Sequence, residues 1–141
     1  MRIFLDANIL VSVLNNEYPA YTYTSRILSL SGTENFNLCT SPICLAIAFY
    51  FAEKKTNTAI AKKNIAKLVE KLQVTSVGRT EVFAALQNKK VNDFEDGLQY
   101  YSAKTDNCDA IITEDLNDYY FSTIPVYNSK LFFEKILSFN K

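Results

Sequence analysis

Five short runs of apolar and β-branched residues, RIFLD (2–6), FNLCTS (36–41), LQVTSV (72–77), DAIIT (109–113) and IPVY (124–127), alternate along the chain with segments of helical period. Short strands separated by helices build βαβ units, in which a parallel sheet is covered on both faces. The pattern predicts an α/β fold: a three-layer α/β/α sandwich with a central, mostly parallel sheet of four to five strands, Rossmann-like in organisation.

The helical segments have recognisable ends. Ile9, Leu10, Val13 and Leu14 share one face behind the first strand. Residues 19–31 open with Pro19 at the first helical position and stop before Gly32. Pro42 opens ICLAIAFYFAEKK, whose polar residues come only at its end, so it reads as a core helix. Residues 56–71 form an amphipathic helix with an outer face of Lys62, Lys63, Lys67 and Lys71. Helices are further expected over 79–90, from Asn92 or Asp93 through FEDGLQYYSAKT, and over NSKLFFEKILSF with Asn128 or Ser129 as the cap. Only three glycines and three prolines occur, so loops are expected to be short; with no repeat or linker, residues 1–141 read as a single domain.

Charge narrows the function. Fifteen basic and fifteen acidic side chains cancel, which removes the strong global positive field of a protein held to nucleic acid by charge alone; a nucleic-acid site must be a local patch. Cys39, Cys44 and Cys108 are odd in number and far apart, with no histidine to join them. They favour neither a disulfide scaffold nor a thiolate zinc site, and read as buried thiols of a reducing cytoplasm. Asp6 and Asn8 interrupt the apolar N-terminus, so no signal peptide is expected, and no apolar run reaches the roughly 18 residues needed to span a bilayer.

The acids are what remain. In parallel sheets, ligands bind at the carboxyl ends of the strands. Asp6 ends the first run and Asp115 follows DAIIT by two residues, while NDFED opens the preceding helix. If Asp6, Asp96 and Asp115 converge, their mutual repulsion is relieved only by raised pKa values or a bound cation. A hard divalent ion such as Mg²⁺ or Mn²⁺ takes carboxylate and water oxygens and needs no histidine. Such an ion serves phosphodiester hydrolysis. Asn8 and Thr113 either orient these carboxylates or satisfy backbone groups at strand ends. Asp93 reads first as a helix cap, and Asp118 either ends a turn or adds a further acid.

These stretches resemble the PIN-domain family, the fold of many VapC-type toxin ribonucleases. IFLDANIL is similar to the family's opening strand, with its first metal-binding acid at Asp6 and a nearby Asn at Asn8. NDFEDGLQYYSAKTDNCDAIITEDLNDY is similar to its later half, with a helix-opening acid at Asp96, a T-x-D turn at Thr113 and Asp115, and an acid at Asp118. One departure stands out. The helix after the second strand usually carries a Glu, and the corresponding residue is Ile47, or Ala46 in a shifted register. Glu53 lies about 9–10.5 Å further along that helix and is a poor substitute.

The resemblance implies an Mg²⁺- or Mn²⁺-dependent ribonuclease, held together at Asp6, Asp96 and Asp115 and supported by Asn8, Asp93, Thr113 and Asp118. It implies an RNA substrate, a small antitoxin partner and a homodimer; Lys54, Lys55, Lys89 and Lys90 read as a solvated face or as contacts to that RNA. Loss of the Glu at position 47 favours the rival reading, a PIN-like module that binds RNA or protein without cutting. Tyr18, Tyr21, Tyr23, Phe49, Tyr50 and Phe51 read as core residues at helical spacing or, in part, as an interface.

Overall fold

A computed structural model describes residues 1–137. Its sheet has five strands, β1 (Arg2–Leu5), β2 (Asn37–Thr40), β3 (Gln73–Val74), β4 (Ala110–Ile112) and β5 (Val126–Tyr127), in the order β3-β2-β1-β4-β5, all parallel. The helices are α1 (Ala7–Leu14), α2 (Tyr21–Leu28), α3 (Pro42–Lys55), α4 (Thr58–Val69), α5 (Arg79–Gln87), α6 (Phe94–Thr105) and α7 (Ser129–Phe132). A 3₁₀ turn covers Leu116–Tyr119 and a π turn covers Phe133–Leu137.

Strand order fixes the layers. The chain steps outward from β1 to β2 to β3, then returns across the sheet to β4 and β5. Right-handed crossovers put the connections of the outward and return steps on opposite faces. Accordingly, α1 packs with α2 and α3, and α3 with α4, while α5 and α6 pack together separately and α7 returns to α2. The three-layer α/β/α sandwich expected from the sequence is observed, with β1 at its centre. Ile3, Phe4, Leu5, Ile111 and Ile112 are buried, as the interior strands of a parallel sheet must be.

The caps follow the chemistry of their residues. Ser41 Oγ accepts the Cys44 N–H at 3.0 Å ahead of Pro42, Asn57 accepts from Ile60, Asp93 from Asp96 and Asn128 from Leu131. Gly97, inside α6, is required by packing: a β-carbon there would lie 2.7 Å from Val91 Cγ1 and 3.1 Å from Ala85 Cβ.

Several expectations need correction. Pro19 lies outside α2, which begins at Tyr21 with Ala20 as its cap. The third strand contracts from six residues to Gln73–Val74, both exposed at the edge of the sheet, where only one side has a strand to pair with. The fifth shortens to Val126–Tyr127, and the last helix begins with four α-helical residues and continues as a π turn; its expected end at 138–139 falls outside the described residues. α3 is not a core helix. It buries only Cys44, Ala48 and Ala52, one residue per turn, and leaves Tyr50 and Phe51 50% and 45% exposed. None of the six aromatic residues assigned to core or interface is buried, and Tyr18 is 71% exposed.

Candidate functional site

β1 and β4 are neighbours, and the chain leaves them in opposite directions, so a crevice opens beyond their carboxyl ends. Leu5 pairs with Ile112, which brings Asp6 beside Thr113, and the Asp6 N–H extends the ladder to the Ile112 carbonyl at 3.0 Å. Thr113 is fully buried, and its hydroxyl joins the two strand ends. It donates to Asp6 Oδ2 at 2.8 Å and accepts from Asn8 Nδ2 and the Asp115 N–H, each at 3.1 Å. Asn8 completes the clamp: Oδ1 accepts the Glu114 N–H at 3.1 Å, and Nδ2 also reaches Asp115 Oδ2 at 3.4 Å. Asn8 and Thr113 therefore orient the turn that carries Asp115.

A cavity of about 330 Å³ opens above this clamp, lined by Asp6, Ala7, Asn8, Val11, Glu17, Ile47, Phe51, Glu95, Asp96, Asp115 and Asp118. Asp6, Asp96, Asp115 and Asp118, singled out in the sequence, thus share one space. Asp93 is absent from the lining and caps α6 instead; Thr113 lies beneath the cavity, out of reach of a ligand. Ile47, on α3, occupies the wall, while Ala46 does not line it, so the register with Ile47 at the family's Glu position is the one that faces the acids. Glu53 is elsewhere, accepting a hydrogen bond from Thr58 at 2.8 Å.

Two carboxylates were missed. Glu17 lies in the turn after α1, folded back by its N–H to the Ser12 carbonyl at 2.9 Å; Glu95 precedes Asp96 in the first turn of α6. Nothing in the local sequence separates Glu17 from a solvated loop acid. Glu95 had a signal in its adjacency to Asp96, but helix-dipole stabilisation explained it equally well. Tyr119 was also missed. It is 2% exposed, and its hydroxyl lies beside Asp6 and Cys44 without a hydrogen bond of good geometry.

The cavity lining holds six carboxylates and no cation. Burial raises the Asp6 carboxyl above its usual range, even though Thr113 and the Ala7 N–H both favour the ionised form. Asp96 is pushed up to about 7, by burial first and then by Asp93, Asp118, Asp6 and Glu95. Glu95 and Asp118 are raised as well. Such crowding is relieved by a bound cation, and an all-oxygen donor set suits a hard one.

The raised Asp96 value gives a stability prediction. The metal-free folded protein keeps this proton up to about pH 7, whereas the unfolded chain releases it around its ordinary value of 3.8. Stability contributed by the proton is full below that ordinary value and is lost as pH rises through the folded one. In chelator, the denaturation midpoint is expected to fall between about pH 4 and pH 7. Asp96→Asn is expected to flatten that slope and to stabilise the apo protein at pH 8 by about 1 kcal/mol, allowing for solvent screening at this partly exposed site. Urea denaturation across the pH range reads both effects.

A PIN-domain family model matches residues 2–117. The chain is a PIN domain. Among curated proteins, it is similar to ribonuclease VapC1 of Aquifex aeolicus, 26% identical over 138 residues, covering 95% of this chain and 94% of that protein. Among solved structures, the PIN domain resembles VapBC2 from Rickettsia felis bound to a DNA fragment from their promoter. The TM-score is 0.70 at 17% identity, covering 91% of this chain and 98% of that one. It also resembles VapC20 of Mycobacterium tuberculosis, a sarcin-ricin loop cleaving toxin, with a TM-score of 0.61 at 12% identity, covering 77% and 86%. PIN nucleases as a class use divalent metal ions, and the acidic cavity described above fits that requirement. No helix among the described residues is long and apolar enough to cross a membrane.

Proposed function

We propose that this PIN domain is a Mg²⁺- or Mn²⁺-dependent endoribonuclease and the toxin of a toxin–antitoxin pair acting in the cytoplasm. The supporting observation is the gathering of Asp6, Asp96, Asp115 and Asp118 into one cavity beyond β1 and β4. The relative named as a ribonuclease and the VapBC neighbour support the substrate class and the pairing with a small antitoxin. A homodimer is part of the same reading.

Asp6, Asp96 and Asp115 would hold the ion, with Asp118 at the cavity rim. When bound, the ion supplies positive charge for a phosphoryl transition state and acidifies water. The chain's own residues do the positioning. Thr113 and Asn8 fix Asp6 and Asp115 relative to each other, and Asp93, by capping α6, sets where its first turn presents Asp96. Ile47 and Phe51 give the cavity an apolar wall, on which an unstacked base can lie. Lys89 and Lys90 are exposed just before α6 and free to approach a backbone phosphate, whereas Lys55 is held by the Asn15 carbonyl at 2.5 Å and Lys54 lies over the Tyr50 ring.

Ile47 in the wall favours one alternative, a PIN module that binds RNA or a protein partner without cutting it. Calorimetric titration with Mg²⁺ and Mn²⁺, and RNA cleavage assayed in the same buffers, separates the two. Metal binding together with chelator-sensitive cleavage supports the nuclease; RNA binding with no cleavage at millimolar metal sinks it and leaves the binding module.

Thr113→Val tests the clamp. The substitution keeps shape but removes a buried hydroxyl with three partners, leaving the Asp115 N–H and the Asn8 amide short of an acceptor. The expected costs are about 1–3 kcal/mol in stability and about 10–100-fold in cleavage rate. Wild-type cleavage in a folded variant would remove Thr113 from the site.

A further inference from the structure

Outside the lining of the acidic cavity, beside the amino-terminal end of β4, the fold brings together residues that the sequence keeps apart. Cys39, on β2, is fully buried; Cys108, immediately before β4, is 7% exposed; Asp106 caps the C-terminus of α6. Their two sulfurs and one carboxylate oxygen lie within 4.8 Å of one another. Asn107, between the last two, adopts a left-handed conformation with φ 57°, and the Cys108 N–H returns to the Ala103 carbonyl at 3.0 Å. This helix-ending turn folds Cys108 back beside Asp106. The two thiols are in contact, which lowers the Cys39 pKa and, together with burial, raises that of Cys108. The guanidinium of Arg2 pairs with the Asp106 carboxylate, and its Nε donates to the Asp106 carbonyl at 3.0 Å.

We propose that Cys39, Cys108 and Asp106 form a second cation site, for a thiophilic divalent ion of the Zn²⁺ class, distinct from the acidic cavity. Two thiolates and a carboxylate suit a tetrahedral, borderline-soft ion and not Mg²⁺, with the fourth position left to water. Arg2 takes the role of the outer partner that holds a ligating carboxylate in place. The charges also balance: two thiolates, one carboxylate, Arg2 and a divalent ion sum to zero, so the filled site buries no net charge. A site built this way ties β2 to the α6–β4 turn and acts on the fold, with none of its ligands in the lining of the acidic cavity. It runs against the sequence expectation that these cysteines favour no thiolate zinc site, which rested on their linear spacing.

Co²⁺ titration of the reduced protein tests the proposal, because thiolate-to-cobalt charge-transfer bands report sulfur ligation and are blind to carboxylate sites. One equivalent of Co²⁺ is expected to raise these bands, and Zn²⁺ to displace them. Cys39→Ser and Cys108→Ser should abolish them, and Asp106→Asn should weaken Co²⁺ binding about tenfold or more. Cys44→Ser and Asp6→Asn should retain them, the latter showing that the acidic cavity is not the source. Absence of the bands in the wild-type protein, or their survival in either of the first two variants, overturns the proposal. Should those variants fail to fold, thiol alkylation of the wild-type protein decides. Zn²⁺ is expected to shield Cys39 and Cys108 from a maleimide while leaving the Cys44 rate unchanged; equal labelling with and without Zn²⁺ overturns the site.

Discussion

Asp6→Asn is expected to reduce RNA cleavage by about 10³-fold or more while leaving the domain folded. Asp6 has two separable tasks. Its Oδ1 accepts the Ala7 N–H at 2.8 Å at the start of α1, a bond that an amide oxygen reproduces. Its charge contributes nothing to folding, since burial raises the carboxyl pKa and an ionised group there is costly. Relief of the buried charge offsets the loss of the Thr113 hydroxyl's acceptor at Oδ2, so the neutral variant is expected to stay within about 1 kcal/mol of the wild type in chelator and to lose the stabilisation that Mn²⁺ confers on the wild type, which would be about 2.7 kcal/mol at a hundredfold excess over Kd. Single-turnover cleavage of a fluorescent RNA, alongside urea denaturation with and without Mn²⁺, separates the two tasks. Cleavage within tenfold of wild type would show that the acidic cavity is not the catalytic centre.

Gly97→Val is expected to cost about 3 kcal/mol. The first added carbon meets Val91 at 2.7 Å and Ala85 at 3.1 Å, and branching adds a second atom to a junction already tighter than ordinary contact. The Val91 side chain can yield, but Ala85 is 3% exposed on α5 and has no rotamer to change. The helices must therefore separate. Against a typical domain stability of about 5–15 kcal/mol, that loss is large and should appear as a clear shift in the urea midpoint. Because Gly97 directly follows Asp96, the same displacement should reduce cleavage even at temperatures where the variant remains folded. A midpoint within about 0.5 kcal/mol of wild type would mean that α5 and α6 are less closely seated than the fold indicates.

The parts of the site that were legible in the sequence are those fixed by local geometry. An acid at a strand's carboxyl end has one place to go in a parallel sheet, so Asp6 and the Thr113–Asp115 turn could be placed from the chain alone. Asp96 was legible because helix starts have recognisable caps. What was not legible depends on packing between elements. Glu17 enters the cavity through the reversal after α1, Ile47 through the seating of α3 on α1, and Tyr119 through a 3₁₀ turn with no periodicity to announce it. The apolar run of α3 was misread for a related reason: hydrophobicity all round a helix does not say which face of it is buried, and here that face is Cys44, Ala48 and Ala52. Cys39 and Cys108 converge only because β1 lies between β2 and β4, an order that no feature of either cysteine encodes.

That strand order also sets when the protein can act. Asp6 and Asn8 are synthesised more than a hundred positions before Thr113 and Asp115, which hold them. During translation β1 must wait for β4 before the cavity has a floor. A chain terminated before Asp115 carries Asp6 with neither its clamp nor its companion acid. A ribonuclease built on this plan stays inert until β4 and the Asp115 turn have left the ribosome and closed on β1.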